Sequence, residues 1–244
     1  MEFVEQEVGQ SKEMPARIVI YGEPKLGKSS FAAQADDVFF LNIEGGLSYL
    51  SRKVRSTPKL EAFEDVIAWL KHIYENDSFT AGTIAIDSAD WLETLAQNKL
   101  IKQHSAKSIT DPSVKDFAYF KGVMDAAGEC VKILSWLDAI YKKKGIKSII
   151  IAHSQIKGVD LPNQDPYSRH EMKLSKWFGA RVNEWADLIL YAGYSFHVTK
   201  DGNTTEPKRV LYAGGSASFI GGGRMALKKE LPLDYEALKK EITQ

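Results

Sequence analysis

Short, almost wholly apolar runs recur along this chain, separated by longer stretches with helical spacing. Arg17–Tyr21, Val38–Ile43, Thr83–Ile86 and Lys147–Ala152 have strand length and few polar positions. Because successive rather than alternate residues are apolar, these runs fit strands buried on both faces. Between them, Glu61–Tyr74 sets Phe63, Val66, Ile67, Leu70 and Ile73 on one helical stripe. Further helices are predicted over Lys28–Ala35, about Ala89–Leu100 and about Phe117–Tyr141, with a polar stretch over Lys102–Ser113. Strands alternating with helices predict an α/β fold, mainly a parallel sheet flanked by helices.

The C-terminal part reads differently. Asp187–Ala192, Ser195–Thr199 and Arg209–Tyr212 are strand-like, and Asp201-Gly202-Asn203 marks a hairpin turn. A glycine-rich patch, Ala213–Gly223, leads to Arg224, and Asp234–Ile242 closes the chain as a short helix. An antiparallel C-terminal edge on the parallel core is expected. The organisation read from these patterns is an N-terminal extension over residues 1–15 and one domain over 16–244.

Composition narrows the classes. Of the 244 residues 44% are hydrophobic and 26% charged, which excludes global disorder and fibrous structure. A single cysteine, Cys130, excludes a disulfide framework and a cysteine-only zinc site. Lys+Arg 32 balance Asp+Glu 32, so the chain is no uniformly basic nucleic-acid binder, although a local basic groove remains compatible. The N-terminus has no basic start followed by an apolar stretch, and no run approaches a membrane span. The expectation is a cytoplasmic protein without membrane contact.

Candidate chemistry begins at Gly22-Glu23-Pro24-Lys25-Leu26-Gly27-Lys28-Ser29, with Ser30 following. It fits the pattern G-x-x-x-x-G-K-S/T directly after an apolar strand and at the start of a helix, the context a phosphate loop requires. Glycines let backbone N–H groups curl around an anion, and the helix N-terminus adds positive potential. Lys28 is placed to reach the β- and γ-phosphates and Ser29 to give its hydroxyl to Mg²⁺. Asp87, ending the Thr83–Ile86 strand, is the second candidate for the magnesium site. Ser88, not a glutamate, follows it, so the base must come from elsewhere. Glu44 ends the Val38–Ile43 strand before two glycines and is the candidate to orient the attacking water, or else simply a turn carboxylate. Asn98-Lys99-Leu100-Ile101 lacks the acid that recognises guanine, which favours ATP.

A phosphate loop, a strand ending in Glu44, a strand ending in Asp87-Ser88 and a later strand running into His153-Ser154-Gln155 resemble the RecA-like P-loop NTPase core. More narrowly, the ordered motifs resemble the small phage nucleotide-binding proteins of RecA type, including Sak-type single-strand annealing proteins. The resemblance implies that Glu44 is the catalytic base and Asp87 the magnesium-site acid. It implies that Gln155 senses the γ-phosphate and opens a DNA-binding loop over about Ile156–Ser175. It also implies single-stranded DNA as partner, a homo-oligomer, and an association with a single-stranded DNA-binding protein.

The candidate DNA contacts are Lys102 and Lys107 in the acid-free stretch Lys99–Thr110, then Lys157, Tyr167, Arg169 and His170 in the later loop. Cations suit backbone phosphates and flat side chains suit unstacked bases. A solvated loop of mixed charge is the competing reading. Arg224, after the glycine patch, is either a trans cation for a neighbour's γ-phosphate or a surface arginine. His153 alone reads as a packed histidine, without metal-spaced partners. The function expected is ATP-dependent annealing or strand exchange on single-stranded DNA. A nucleotide-dependent switch acting on a protein and a minimal helicase-like motor are the alternatives.

Overall fold

The computed structural model describes residues 13–196 and 206–243. Its strands are β1 (Arg17–Gly22), β2 (Val38–Asn42), β3 (Arg55–Ser56), β4 (Thr83–Asp87), β5 (Lys147–Leu161), β6 (Gln164–Met172), β7 (Leu188–Ser195), β8 (Lys208–Tyr212), β9 (Gly222–Gly223) and β10 (Glu230–Pro232). The helices are α1 (Lys28–Ala32), α2 (Phe63–Glu75), α3 (Ala89–Gln103), α4 (Lys121–Lys144), α5 (Lys176–Trp185) and α6 (Tyr235–Thr243). The sheet order is β10-β8-β7-β1-β5-β4-β2-β3, with β6 on β5 and β9 on β7. Pairings from β7 across to β3 are parallel, whereas β8, β9 and β10 join antiparallel. This is the mixed α/β architecture of a P-loop NTPase core.

Alternate side chains of β1 explain why the strand is apolar throughout. Ile18 and Ile20 enter the core under α1 and α6, while Val19 and Tyr21 enter the core under α2, α3, α4 and α5. Burying each such side chain contributes about 1.5–3 kcal/mol, so a polar residue on either face would be costly. In α2, the expected stripe buries Phe63, Val66, Leu70 and Ile73.

Strands β1, β4 and β2 finish at one end of the sheet, where β5 passes beyond them. In register, Gly22 of β1 lies opposite His153 of β5, Ile151 opposite Asp87, and Asp87 opposite Asn42 of β2. Residues distant in sequence therefore converge at the carboxyl edge of the parallel strands, where α/β folds place their ligands.

Several elements differ from the expectation. Helix α1 stops at Ala32 rather than Ala35, and α4 starts at Lys121 because Tyr119 (φ 54°) and Phe120 (φ 64°) are left-handed and break the helix. The expected loop over 156–175 is instead largely a β-hairpin, β5–β6, paired from Ser154↔Met172 to Leu161↔Gln164. Backbone ladder bonds satisfy this polar segment without a buried apolar face, so periodicity does not reveal it. Asp187–Ala192 falls mostly in β7, which is parallel to β1 and belongs to the core. The turn at 201–203 and most of the 195–199 strand lie outside the described residues.

Candidate functional site

The phosphate loop connects β1 to α1 as expected. Gly22 is forced by close approach: a Cβ there would lie 2.3 Å from the Ala192 carbonyl oxygen of β7. Gly27 has φ +110°, a left-handed conformation that favours glycine, and serves as the cap residue of α1. Lys28 Nζ donates to the carbonyls of Gly22 (3.0 Å) and Glu23 (2.7 Å), folding the side chain back over the loop. Burial pushes its ammonium below the usual lysine range, against the opposing pull of Asp87 and Glu44. Lys25, Gly27, Lys28, Ser29 and Ser30 line a cavity of about 480 Å³ together with Glu44, Asp87 and His153. Pro24 faces a neighbouring cavity, Leu26 is buried, and Glu23 is exposed.

Ser29 Oγ donates to Asp87 Oδ2 at 2.7 Å. Asp87 is 3% exposed, and burial raises its carboxyl to about 6, helped by Glu44 and opposed by Ser29, Lys28 and His153. A hydroxyl and a buried carboxylate in contact are a suitable oxygen-donor pair for Mg²⁺, and these two residues would hold it. Bound there, Mg²⁺ would neutralise charge on the phosphate oxygens.

Glu44 is drawn to the same place: its backbone N–H and that of Ile43 both donate to the Asp87 carbonyl, each at 2.9 Å. Gln155 stands further along β5, where Nε2 donates to the carbonyls of Met172 (3.1 Å) and Leu174 (3.4 Å). It thus ties the base of the hairpin, and it lines a cavity of about 700 Å³ that also includes Glu44, Asp90, Glu93 and His153.

A family model described as an AAA domain matches residues 14–225. The chain belongs to the AAA domain family. It is accordingly a nucleotide-binding, ATPase-type P-loop domain. No curated protein matches it in sequence. No helix among the described residues is long and apolar enough to cross a membrane.

The other candidates scatter across this AAA domain. Lys102 lies in α3, not in a loop, and lines a groove between α2 and α3 with Glu61, Phe63 and Lys99. Lys99 itself pairs with Glu129 at 2.8 Å, so the acid-free stretch is not free of acids in space. Lys107 is exposed, its backbone N–H held by Asp111 at 2.7 Å. Lys157 and Arg169 are cross-strand partners on the hairpin, and both pair with Glu171, at 3.3 and 2.7 Å. Tyr167 opposes Val159 on the same hairpin.

His170 is half-buried and ordered by its neighbours. Its ring stacks on Tyr191 with centroids 5.1 Å apart, and its backbone bonds to Ser218 and Ile220 of the glycine-rich segment. Arg224 is remote from the nucleotide site of its own chain. It pairs with Asp187 at 3.3 Å, just before β7, at the end of the sheet opposite the phosphate loop.

Other residues are missed by sequence reading. Asp90 holds His153 twice, accepting its backbone N–H at 3.1 Å and approaching Nδ1 at 2.9 Å. Asp90 lies in the first turn of α3, directly after β4, and no spacing along the chain marks it as the partner of His153. Arg209 on β8 donates to the Leu26 carbonyl at 3.3 Å and so braces the phosphate loop from the antiparallel edge. Tyr119 (95% exposed) and Phe120 (61%) project where the break before α4 leaves them, and Phe120 lies 6.3 Å from the Trp177 ring of α5. Lys176 Nζ sits 4.6 Å from that same ring.

Proposed function

We propose that this AAA domain is an ATP-dependent, RecA-like recombination protein that binds single-stranded DNA and promotes annealing or strand exchange, in the manner of small phage proteins. One observation carries the reading. Strand β5 runs unbroken from His153, opposite Gly22 of the phosphate loop, to Leu161 at the tip of an exposed hairpin. His153, at the phosphate-loop end, and Lys157, a candidate DNA contact, therefore lie on one strand, with Arg169 paired to Lys157 across the hairpin.

In this mechanism Glu44 orients and deprotonates water for attack on the γ-phosphorus of ATP. The new P–O bond gives inorganic phosphate, the β–γ bridging bond breaks with its electron pair on ADP, and the proton passes to Glu44. Gln155 exchanges its hydrogen bonds to Met172 and Leu174 for one to the γ-phosphate, so ATP alters the hold on the hairpin base. Lys157, Arg169 and Lys176 serve phosphates, while Phe120, Tyr119 and Trp177 offer flat surfaces for bases.

The test is ATP turnover with and without single-stranded DNA over a range of salt. Stimulation that weakens with salt supports the reading, and replacing both Phe120 and Trp177 with Ala should reduce it. A second reading, a switch whose partner is a protein, is favoured by Ile156 and Leu161, 70% and 46% exposed on the same hairpin. Turnover indifferent to DNA would select it.

A further inference from the structure

The connection from β2 to α2 holds a run of positive charge that the phosphate-loop motif does not include. Between Glu44 and Glu61 the chain has Arg52, Lys53, Arg55 and Lys59 and no acid. All four cations are exposed. Arg55 is engaged, pairing with Asp37 at 2.8 Å and donating to the Thr80 carbonyl at 2.7 Å. Arg52, Lys53 and Lys59 have no side-chain hydrogen bond or ion pair among the described residues. The hairpin differs, because Glu171 takes up both Lys157 and Arg169. A surface cation without a partner keeps its charge for a ligand.

The connection is anchored to the core. Leu47, Leu50 and Val54 are partly buried against the core under α1 and α6. Arg55–Ser56 pairs with β2, and beyond it Thr57 N–H donates to the Phe40 carbonyl at 2.9 Å and Leu60 N–H to the Asn42 carbonyl at 2.8 Å. The return limb thus runs beside β2 and brings Lys59 back to the start of the connection. Its Cδ lies 3.2 Å from where a Gly45 Cβ would stand. Gly46, Tyr49 and Leu50 line the phosphate-loop cavity together with Glu44. With the aliphatic side chains packed inward, the outer surface offers three unpaired cations and the ring of Tyr49, which is 94% exposed.

We propose that this connection is a second single-stranded DNA contact, in which Arg52, Lys53 and Lys59 take backbone phosphates beside the nucleotide cavity. It rests on the reading of the protein as a single-stranded DNA binder. The chemistry of the surface selects the partner. A stable protein interface is built round apolar or aromatic anchors in a dry centre, and here Leu47, Leu50 and Val54 already pack inward. Insertion into a lipid surface needs the same side chains outside. Unpaired cations spaced along a backbone match a polyanion, each releasing counterions from one phosphate. The Tyr49 face suits an unstacked base, which a single strand presents and a closed duplex does not.

The test is anisotropy of a fluorescein-labelled oligo-dT bound to the whole chain with Mg²⁺ and excess ATP, followed across salt. Combining Arg52→Ala, Lys53→Ala and Lys59→Ala removes three phosphate contacts, which should flatten the slope of log K against log salt by about two and weaken binding at least about tenfold at low salt. Arg52→Ala with Lys53→Ala alone should flatten it by about 1.4 and leave DNA-free ATP turnover unchanged. All three side chains are exposed and unpaired, so both variants should unfold at the wild-type temperature. If wild type binds the oligonucleotide and both variants bind it with the same affinity and slope, the contact is wrong and the DNA reading stands. If wild type binds no oligonucleotide at any salt, the DNA reading itself fails and this contact with it. Binding of polyglutamate in its place would assign the surface to an acidic protein and overturn the proposal.

Discussion

Ser29 Oγ and Asp87 Oδ2 lie 2.7 Å apart, a hydrogen bond that joins the start of α1 to the end of β4 across 58 residues. It is the contact that unites the two motifs of the nucleotide site, and its acid is buried. Burial lifts the Asp87 carboxyl from 3.8 to about 6. The folded protein therefore holds this proton more tightly than the unfolded chain does. The stabilising contribution is complete below the unfolded value and is lost as pH rises through about 6. Asp87→Asn cannot ionise and should gain up to about 3 kcal/mol over wild type at pH 7.5 without Mg²⁺, the gap closing toward pH 4. Urea unfolding of both proteins across that range checks it; parallel curves would overturn the assignment.

Glu44→Gln keeps the side-chain size and the backbone bonds to Asp87 but removes the base. Hydrolysis should fall about 10²- to 10⁴-fold with ATP affinity preserved. Single-turnover hydrolysis beside an equilibrium titration with ATP measures both.

Glu171 neutralises two of the hairpin's cations, Lys157 and Arg169. Glu171→Gln should raise affinity for single-stranded DNA several-fold and steepen the slope of log K against log salt by about one. Lys157→Ala with Arg169→Ala should act in the opposite direction. Fluorescence anisotropy of a labelled oligonucleotide at several salt concentrations distinguishes them, and an unchanged slope in all variants would exclude the hairpin as the contact.

Gly22→Ala tests the packing behind the phosphate loop. Its Cβ would meet the Ala192 carbonyl at 2.3 Å, so β1 and β7 must part. A loss of about 2 kcal/mol or more is expected, together with weakened ATP binding, because the Gly22 carbonyl holds Lys28. Thermal unfolding with and without nucleotide gives both quantities; an unchanged Tm would show that the strands yield freely.

Much of the nucleotide site was legible in one dimension because its parts are local. A strand, a glycine turn and Lys28-Ser29 at a helix start lie within a few residues, and Asp87 and Glu44 each end an apolar run. Apolar runs report burial on both faces, so the alternation of strands and helices determined the parallel α/β core before any coordinates. Charge was less readable. Lys99, Lys157 and Arg169 look free along the chain, yet Glu129 and Glu171 reach them across helices and across the hairpin.

By itself, then, the sequence determined the fold class, the phosphate loop and the ends of the strands that carry Glu44 and Asp87. Only the tertiary structure decided that Asp90 clamps His153 beside Glu44, that Arg209 braces the loop, that His170 stacks on Tyr191, and that Arg224 lies at the far end of the sheet. The physical reason is range. Backbone conformation and burial act over a few residues and leave a periodic trace. A pairing between side chains 63 residues apart leaves none until the strands are set in register.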